Sequence, residues 1–414
     1  MKKLFAALIV VALVLTSVFA LAACDKNKSE VEKAIEAAQK MTLKELEDAS
    51  KAEMEANPDA VFNADSLTSG VKKSLAAFIE KYDWLTENNA KYNSKKGSEY
   101  QPKLTAADEA NQYIADFVMI QDAAFVDSLV KDGFLLSYVP TGEGYQIAEE
   151  DQKPLVGVTF NKIFYYNSER GNDYLKNVWQ LTGADGATLQ GIKKLSYQSP
   201  LGEDVNMSFL IMLTSPDAVT RLTTAYQSYF GKAYDATADD YQNIGYKFVA
   251  EFIANISTFH SSDTSEVKAM NTDSHKDGIL FAGLAKIKDY TSETKTQEGD
   301  PGYWKNVIKV SGYNYEVEGF DGFVYNMWTL IPKTAKLPYT ACLFIRYLLS
   351  EEGYAKGFSE LGYYCSNTLV STYGDDPALT SWKSKCIVED VDYINSVYGT
   401  TVKFINQQLS SKIK

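Results

Sequence analysis

The sequence is poor in the residues that most often carry metal or thiol chemistry. Its 414 residues include only two histidines, His260 and His275, and four cysteines. The two histidines, with Asp263, Asp273 and Asp277 nearby, match no recognised spacing of metal ligands, so we interpret this segment as a polar loop. The sequence also lacks a Gly-x-Ser-x-Gly elbow, a His-Glu-x-x-His motif and a phosphate-cradling Gly-Lys-Ser/Thr motif. These absences favour binding over catalysis, and we expect neither a cofactor nor an enzyme. Paired carboxylates for glycoside hydrolysis stay open, because 54 acidic residues offer many pairs.

Positive charge is also scarce. There are 41 lysines and arginines against 54 acidic residues, a formal net charge of −13. Nucleic acids and anionic membrane surfaces attract basic patches, so this balance argues against both as partners. A hydrophobic content of 45% and an aromatic content of 13% are ample for packed cores. The length suggests two or three domain-sized units in what we expect to be a monomer.

The chain begins with MKKLFAALIVVALVLTSVFALAACDKNKSE, in which two lysines precede an apolar run that stops at one cysteine. This order of basic, apolar and small residues is typical of a signal peptide. A retained transmembrane anchor is the alternative, because the run approaches the length that spans a bilayer. Leu21-Ala22-Ala23-Cys24 resembles the bacterial lipobox, which implies that Cys24 is lipidated and that the mature protein begins there.

The remaining cysteines are Cys342, Cys365 and Cys386. Cys342 lies in the apolar helical pattern TACLFIRYLL and is predicted to be a buried thiol. Cys365 and Cys386 could form a disulfide outside the cytoplasm, where such bonds persist. They could equally stay free, because the sequence alone does not bring their Cα atoms within bridging distance.

Strands and helices are predicted to alternate along the chain. Residues 25–35 show no apolar pattern and are predicted to be a tether. A helix over LKELEDASKAEMEA should end at Asn57-Pro58. VFNADSLTSGVKKSLAAFIEKY predicts a strand and then a helix capped by Thr68 or Ser69. IADFVMI predicts a strand, and the next helix, QDAAFVDSLVKDGFL, should end at Gly133.

The second half of the chain continues this alternation. VGVTFNKIFYYNS predicts two extended pieces, GILFAGL a strand, and DYQNIGYKFVAEFIANI a helix. FDGFVYNMWTLIP predicts an extended stretch that leads through a proline turn to a helix over about residues 339–349. The alternation argues for an α/β architecture with largely parallel sheets.

In this order the segments resemble the extracellular solute-binding proteins of bacterial ABC importers. The similarity is to the branch that contains ferric-iron, polyamine, thiamine and phosphonate binders. The most specific match is IPKTAKLPYTACLFIRYLLSEEGY, which is similar to the family's proline turn, amphipathic helix and Leu-Ser-x-Glu-Gly ending. Matching pieces span about residues 42–365, and the central part is poorly matched.

The resemblance implies two α/β lobes joined by a hinge, with a small solute bound in the cleft between them and an ABC transporter permease as partner. It also implies a lipid-anchored protein on the outer face of the cell membrane. We expect the following division: signal peptide 1–23, tether and N-terminal helix 24–56, first lobe 57–155 plus 322–360, and second lobe 156–321 plus 361–414.

Polar and aromatic residues near the expected cleft are the candidate solute contacts. Hydroxyls at a helix N-terminus, or polar groups just after a strand, can bind a ligand, although both can also serve only as helix caps. Aromatic faces pack against sugar rings, although any one aromatic residue can belong to the core. The predicted ligand-binding residues are Ser66, Thr68, Ser69, Gln121, Asp122, Trp179, Tyr303, Trp304, Tyr325, Asn326 and Trp328.

The nature of the solute is the least determined point. The aromatic and amide content favours a carbohydrate-like solute, with Trp328 as a contributor. The hydroxyl-rich loop leaves a phosphonate or a sugar phosphate open. Ferric iron is a further alternative, but the adjacent tyrosines expected before the second hinge crossing are missing, since Tyr290 and Tyr303 are single there. An exported hydrolase is the candidate from another functional class.

Overall fold

A computed structural model describes residues 28–96, 99, 102–104, 106, 112–168, 175–183, 194–238, 240–270, 278–287 and 308–412. Cys24 and the signal peptide, His275, Tyr290, Tyr303 and Trp304 lie outside these residues. The strands of the described part are β1 (Phe62–Ser66), β2 (Ala90–Ser94), β3 (Phe117–Ile120), β4 (Leu135–Leu136), β5 (Val156–Asn167), β6 (Lys194–Gln198), β7 (Ile256–His260), β8 (Gly278–Gly283), β9 (Ile308–Val310), β10 (Gly322–Pro332), β11 (Tyr363–Cys365) and β12 (Ile387–Val388). The α-helices are α1 (Glu30–Ala38), α2 (Leu43–Ala56), α3 (Ser69–Lys81), α4 (Ala123–Lys131), α5 (Asp204–Met212), α6 (Pro216–Phe230), α7 (Ile244–Asn255), α8 (Asp263–Ala269), α9 (Pro338–Leu348), α10 (Glu351–Phe358), α11 (Leu379–Lys385) and α12 (Val391–Lys412).

The strands form one sheet with the order β2-β1-β3-β10-β5-β8-β6-β7. Strands β1, β2 and β3 are mutually parallel at one end, and β6, β7 and β8 are mutually parallel at the other. Between them, β10 runs antiparallel to both β3 and β5. We call the part built on β1–β3 the first lobe, the part built on β6–β8 the second lobe, and the β5–β10 pair the hinge. The fold is therefore α/β and two-lobed, as predicted.

Strand β5 passes from one lobe to the other without a break. All twelve of its residues are buried, which is typical of strands covered on both faces. The prediction of two separate extended pieces over VGVTFNKIFYYNS was wrong, because one strand pairs with β10 along its first part and with β8 and β9 along its second. Strand β10 crosses in the opposite direction, and its register with β5 shifts between Met327 and Trp328.

The first lobe packs α2, α9 and α3 on one another beside the sheet. The ring of Phe344 in α9 contacts Phe62, Phe78 and Phe117 from three other elements, with centroids 4.9–5.7 Å apart. Helix α2 ends at Ala56 and α3 is capped by Thr68, which confirms both predicted boundaries. Helix α9 begins one residue before the predicted start.

The N-terminal segment differs from the prediction. Residues 30–38 form helix α1 rather than a tether, with a capping box between Ser29 and Glu32. Val31 and Ile35 are buried in the hydrophobic core. The spacing of Val31, Ala34, Ile35 and Ala38 was a helical signal that the charged neighbours concealed.

Helix α12 contacts both lobes. Its Tyr398 ring meets Phe125 of α4 in the first lobe at 5.6 Å between centroids. Further along, Thr401 shares a hydrogen bond of 2.8 Å with the Tyr246 hydroxyl of α7, and Phe404 packs on the same tyrosine ring. The helix is thus a third connection between the lobes beside the two hinge strands.

The three described cysteines are free thiols. Cys342 is buried, as predicted, and Cys365 and Cys386 form no disulfide. Within the described ranges, no helix combines the length and the apolar character needed to cross a membrane. Nor do three or more His, Cys, Asp or Glu side chains of those ranges come together as metal ligands.

Candidate functional site

The carboxyl ends of the parallel strands meet at the cleft between the lobes. In the first lobe, Ser66 at the end of β1 lies opposite Met119 of β3, and Gln121 and Asp122 follow β3 directly. In the second lobe, β6 ends at Gln198, and α5 begins a few residues later. Loops at this edge of a parallel sheet carry the binding residues in α/β folds, because the turn leaves their polar groups pointing away from the core.

Among the described residues, two hydrogen bonds join the lobes across the cleft. The Gln121 side-chain amide donates to Glu203 Oε1 at 2.5 Å, and the Lys96 ammonium donates to the Gly202 carbonyl at 2.7 Å. Both acceptors lie in the turn that precedes α5. A solute held between the lobes would therefore contact the same loops that contact each other here.

A buried lysine links the hinge to the second lobe. Lys162 lies in β5, and its ammonium donates to Asp263 Oδ1 and Asn206 Oδ1, both at 2.8 Å, and to Gln198 Oε1 at 3.3 Å. Gln198 in turn donates to Glu203 Oε2 at 3.1 Å. The network therefore runs from the hinge strand to the residue that Gln121 contacts.

Aromatic rings form the hinge side of the cleft. The Phe160 ring packs against Tyr325 and Tyr363, with centroids 5.5 Å and 4.4 Å apart. Tyr325 is only 9% exposed. Burial raises the pKa of Tyr325 well above its usual value, and the carboxylates of Asp263, Glu203 and Glu389 raise it further. The raised pKa keeps the Tyr325 hydroxyl protonated.

Two buried carboxyl groups beside the hinge each have an oxygen without a hydrogen-bond partner among the described residues, Asp122 Oδ2 and Glu389 Oε1. Glu389 follows β12, and its other oxygen accepts from the Asn326 backbone N–H at 3.0 Å. Burial raises the pKa of Asp122 to about 8, and Asp204 adds to this shift. Burial likewise raises the pKa of Glu389 to about 8, with Asp122 adding to it. These groups are costly to ionise until a partner arrives.

The hydroxyl-rich loop is largely occupied by its own backbone. Ser66 is buried, and its hydroxyl accepts from the Thr68 N–H. The Thr68 hydroxyl accepts from the Gly70 N–H at 3.2 Å and so caps α3. Ser69 is exposed at the first turn of that helix. The capping interpretation therefore describes Thr68, and the loop offers fewer donors to a ligand than the sequence suggested.

Two of the predicted aromatic contacts lie in the core instead of the cleft. Trp179 is fully buried, its indole N–H donates to the Leu222 carbonyl at 3.0 Å, and its ring packs on Tyr226 and Phe248. Trp328 is 2% exposed and belongs to the hydrophobic core where β10 pairs with β3. Neither tryptophan presents a ring face to a solute, so the expectation that they form a stacking platform is corrected.

The structure brings Gln121, Asp122, Tyr325 and Asn326 together near the hinge. Asn326 accepts a hydrogen bond of 2.8 Å from the Thr159 hydroxyl of the facing strand. Sequence reasoning missed the other members of the site: Phe160, Lys162, Glu203, Asp204, Asp263, Tyr363 and Glu389. Lys162 inside the predicted strand VGVTFNKIFYYN was the one local signal, because a buried lysine needs acceptors.

Comparison with known proteins bears on the fold. No protein-family model and no curated protein matches this sequence. Among solved structures, an ABC transporter substrate-binding protein from Bradyrhizobium japonicum is 11% identical, with a TM-score of 0.57, over 86% of this chain and 100% of that one. The binding protein AgtB of A. tumefaciens R10, in complex with agropinic acid, is 14% identical, with a TM-score of 0.56, over 85% and 99%. The apo ferric ion-binding protein A of Pasteurella haemolytica is 13% identical, with a TM-score of 0.54, over 84% and 97%. The chain thus has the two-lobed fold of ABC transporter substrate-binding proteins, as predicted.

Proposed function

We propose that this protein is a receptor that captures a small polar solute between its lobes and delivers it to the permease of an ABC transporter. The observation that carries the proposal is the hydrogen bond from the Gln121 amide to Glu203, which joins the loops of the two lobes at the carboxyl ends of their parallel strands. Two lobes joined by paired strands can open and close around a ligand. Closure removes water and lets both lobes contact the solute at once, so the closed form is the one that a permease can distinguish.

The sequence favours a carbohydrate-like solute for this receptor. With Trp179 and Trp328 in the core, Tyr363 is a partly exposed ring beside the hinge that could stack on a sugar, and the Gln121 amide could bind hydroxyls. A phosphonate or sugar phosphate is an alternative that would use the loop at Ser69. Ferric iron is another, since it favours anionic oxygen ligands, but the adjacent tyrosines are missing from the expected segment.

A test of the receptor function is ligand-linked stabilisation of the soluble form, residues 25–414. A solute that binds only the native state at a hundredfold excess over Kd should raise the free energy of unfolding by about 2.7 kcal/mol. We expect saturable stabilisation in thermal denaturation and no product in the same samples by mass spectrometry. Turnover that disappears when a cleft carboxylate is neutralised would instead support the exported hydrolase.

The proposal includes a lipid anchor at Cys24 and the lobe boundaries expected from the sequence. We predict that Cys24→Ser leaves the fold unchanged, because Cys24 precedes the first described helix in the chain, but releases the protein from membranes or blocks its maturation. Stable anchoring requires more than one acyl chain, so loss of the lipid should change the location completely. Fractionation and electrophoretic mobility report the outcome. A Cys24→Ser protein that is processed and retained like the wild type would contradict the anchor.

A further inference from the structure

A cavity lies on the first lobe, apart from the interlobe cleft. Its volume is about 780 Å³, which is within the range of small-molecule sites. Its walls are the turn between α1 and α2, the loop 141–145, the end of α9 with the start of α10, and the loop 367–370. None of the cleft residues described above lines it. The cavity is therefore separate from the site where the solute is expected.

Two side-chain amides hold the walls of this cavity in place. Gln39, which follows α1, donates to the Val139 carbonyl and accepts from the Val139 N–H at 3.3 Å. Asn367 is 1% exposed and donates to the Gly144 and Leu349 carbonyls, both at 2.9 Å. Each amide joins segments that are far apart in the sequence. Walls that are fixed in this way need little reorganisation to receive a ligand.

Arg346 of α9 is a buried cation in the lining of the cavity. It is 7% exposed, and its Nε has no hydrogen-bond partner among the described residues. Its guanidinium carbon lies 4.9 Å from the centroid of the Tyr145 ring. Its Nη2 lies 4.0 Å from the position that a Cβ atom at Gly142 would take. Since Tyr145 and Gly142 both line the cavity, the guanidinium lies at the cavity with part of its donor capacity unused.

Two tyrosine hydroxyls close to Arg346 remain neutral. Burial raises the pKa of Tyr138 to about 12 and also raises the pKa of Tyr145, while the charge of Arg346 opposes both shifts. The two phenols therefore do not neutralise the guanidinium at pH 7. The acidic residues of the lining, Glu143 and Glu351, are exposed, and Glu351 already accepts a backbone N–H at 2.8 Å. A buried charge is costly without a counter-ion, and an anionic ligand would supply one.

The rim of the cavity is apolar. Leu43 is 43% exposed and Leu369 is 55% exposed, and they are two of the four large hydrophobic residues exposed in the described part of the chain. Met41 and Val370, which are partly buried, also line the cavity. Single exposed leucines are common, but four apolar side chains around one cavity form a surface that a ligand can cover.

We propose that the cavity at Arg346 is a second binding site, which takes a small organic carboxylate with an apolar tail. The guanidinium presents its donors in a planar fork that matches a carboxylate, and the tail covers Leu43 and Leu369. An amine would be repelled by the charge of Arg346, and a multiply charged anion by the exposed Glu143 and Glu351. This site is distinct from the one proposed for solute capture, so its failure would leave the receptor function standing.

The first test compares three probes of one shape on the soluble form, residues 25–414. The probes are isocaproate, its neutral amide isocaproamide, and the cation isohexylamine, each titrated with saturation-transfer NMR as the readout. We expect isocaproate to bind saturably and the other two to bind at least tenfold more weakly, because only the carboxylate forms charge-assisted hydrogen bonds with Arg346. Equal affinities for acid and amide would overturn the proposal. So would the absence of saturable isocaproate binding up to its solubility limit.

The second test locates the bound carboxylate. Arg346→Gln removes the charge and the fork, so we expect it to lower the affinity for isocaproate at least tenfold. The matched control is Arg221→Gln on α6, where the arginine pairs with Asp217 at the surface, and this variant should bind like the wild type. Wild-type affinity in Arg346→Gln, or the same loss in both variants, would refute the assignment.

A variant at the rim keeps the proposal testable if Arg346→Gln does not fold. Leu369→Glu changes an exposed side chain, so it should fold and weaken isocaproate binding at least threefold, because it repels the carboxylate and loses contact with the tail. Its control is Leu201→Glu, at a leucine that is 61% exposed and precedes Gly202 at the interlobe cleft. Weakening by Leu201→Glu alone would place the ligand in the cleft and overturn the second site. Unchanged binding by Leu369→Glu would overturn it as well.

Discussion

Replacing Lys162 with methionine is expected to lower the free energy of unfolding by about 3–5 kcal/mol, because removing one partner of a buried ion pair leaves the other charge uncompensated. Lys162 is 2% exposed and contacts Asp263, Asn206 and Gln198. In the variant, the Asp263 carboxylate would keep its bond from the Gly283 N–H but lose its counter-ion. Methionine has a similar length, so the loss of stability would come from the missing charge and hydrogen bonds more than from a change in side-chain volume.

Urea denaturation followed by circular dichroism measures this effect. The control is Lys356→Met, which removes the same charge from an exposed position on α10 and should change stability by less than about 0.5 kcal/mol. If the two variants lost similar amounts, the Lys162 network would be contributing no more than a surface contact does. The ion pair would then have to be broken or hydrated in solution.

Trp328→Ala is expected to have an effect of similar size, again about 3–5 kcal/mol, because truncating a fully buried tryptophan loses apolar burial and leaves a cavity. Trp328 lies where β10 contacts both β3 and β5, so the cavity would open beside the hinge. The readout is the urea midpoint, with Trp328→Phe as the partial replacement that should recover much of the loss.

The same variant separates two roles for Trp328. Trp84, which is only partly buried on the first lobe, provides the control Trp84→Ala with a smaller expected cost. A Trp328→Ala protein that keeps wild-type stability but no longer changes fluorescence with its solute would contradict the core placement. It would support the ligand-contact role that the sequence suggested.

Much of the fold could be predicted because local patterns determine it. Apolar spacing and the residues Thr68, Gly133 and Pro58 mark helix starts and ends, and these boundaries agree with α3, α4 and α2. Helix α1 was not predicted because polar residues dominate its composition, although its apolar positions recur at helical spacing. The continuity of β5 was not predicted because its pairing with β10, β8 and β9 is a tertiary property that a single segment does not reveal.

The candidate site was less predictable for a physical reason. Gln121 and Asp122 could be found because a residue just after a buried parallel strand faces the functional edge of a sheet. Glu203 lies 82 positions from the Gln121 amide that contacts it, and Glu389 follows a strand of two residues. Neither has a local pattern. The tryptophans were misplaced because aromatic character is equally suited to a core and to a ligand platform.

The central position of β10 bears on how the chain folds. This strand lies between β3 and β5, so before residues 322–332 are in place each lobe exposes a strand edge that has its neighbour on one side only. Such edges are templates for wrong pairing, and contacts between residues so distant in sequence form slowly. The two lobes therefore do not fold independently, one after the other. Both lobes are completed only when β10 is placed between them. The partly folded chain is therefore the form most prone to aggregation.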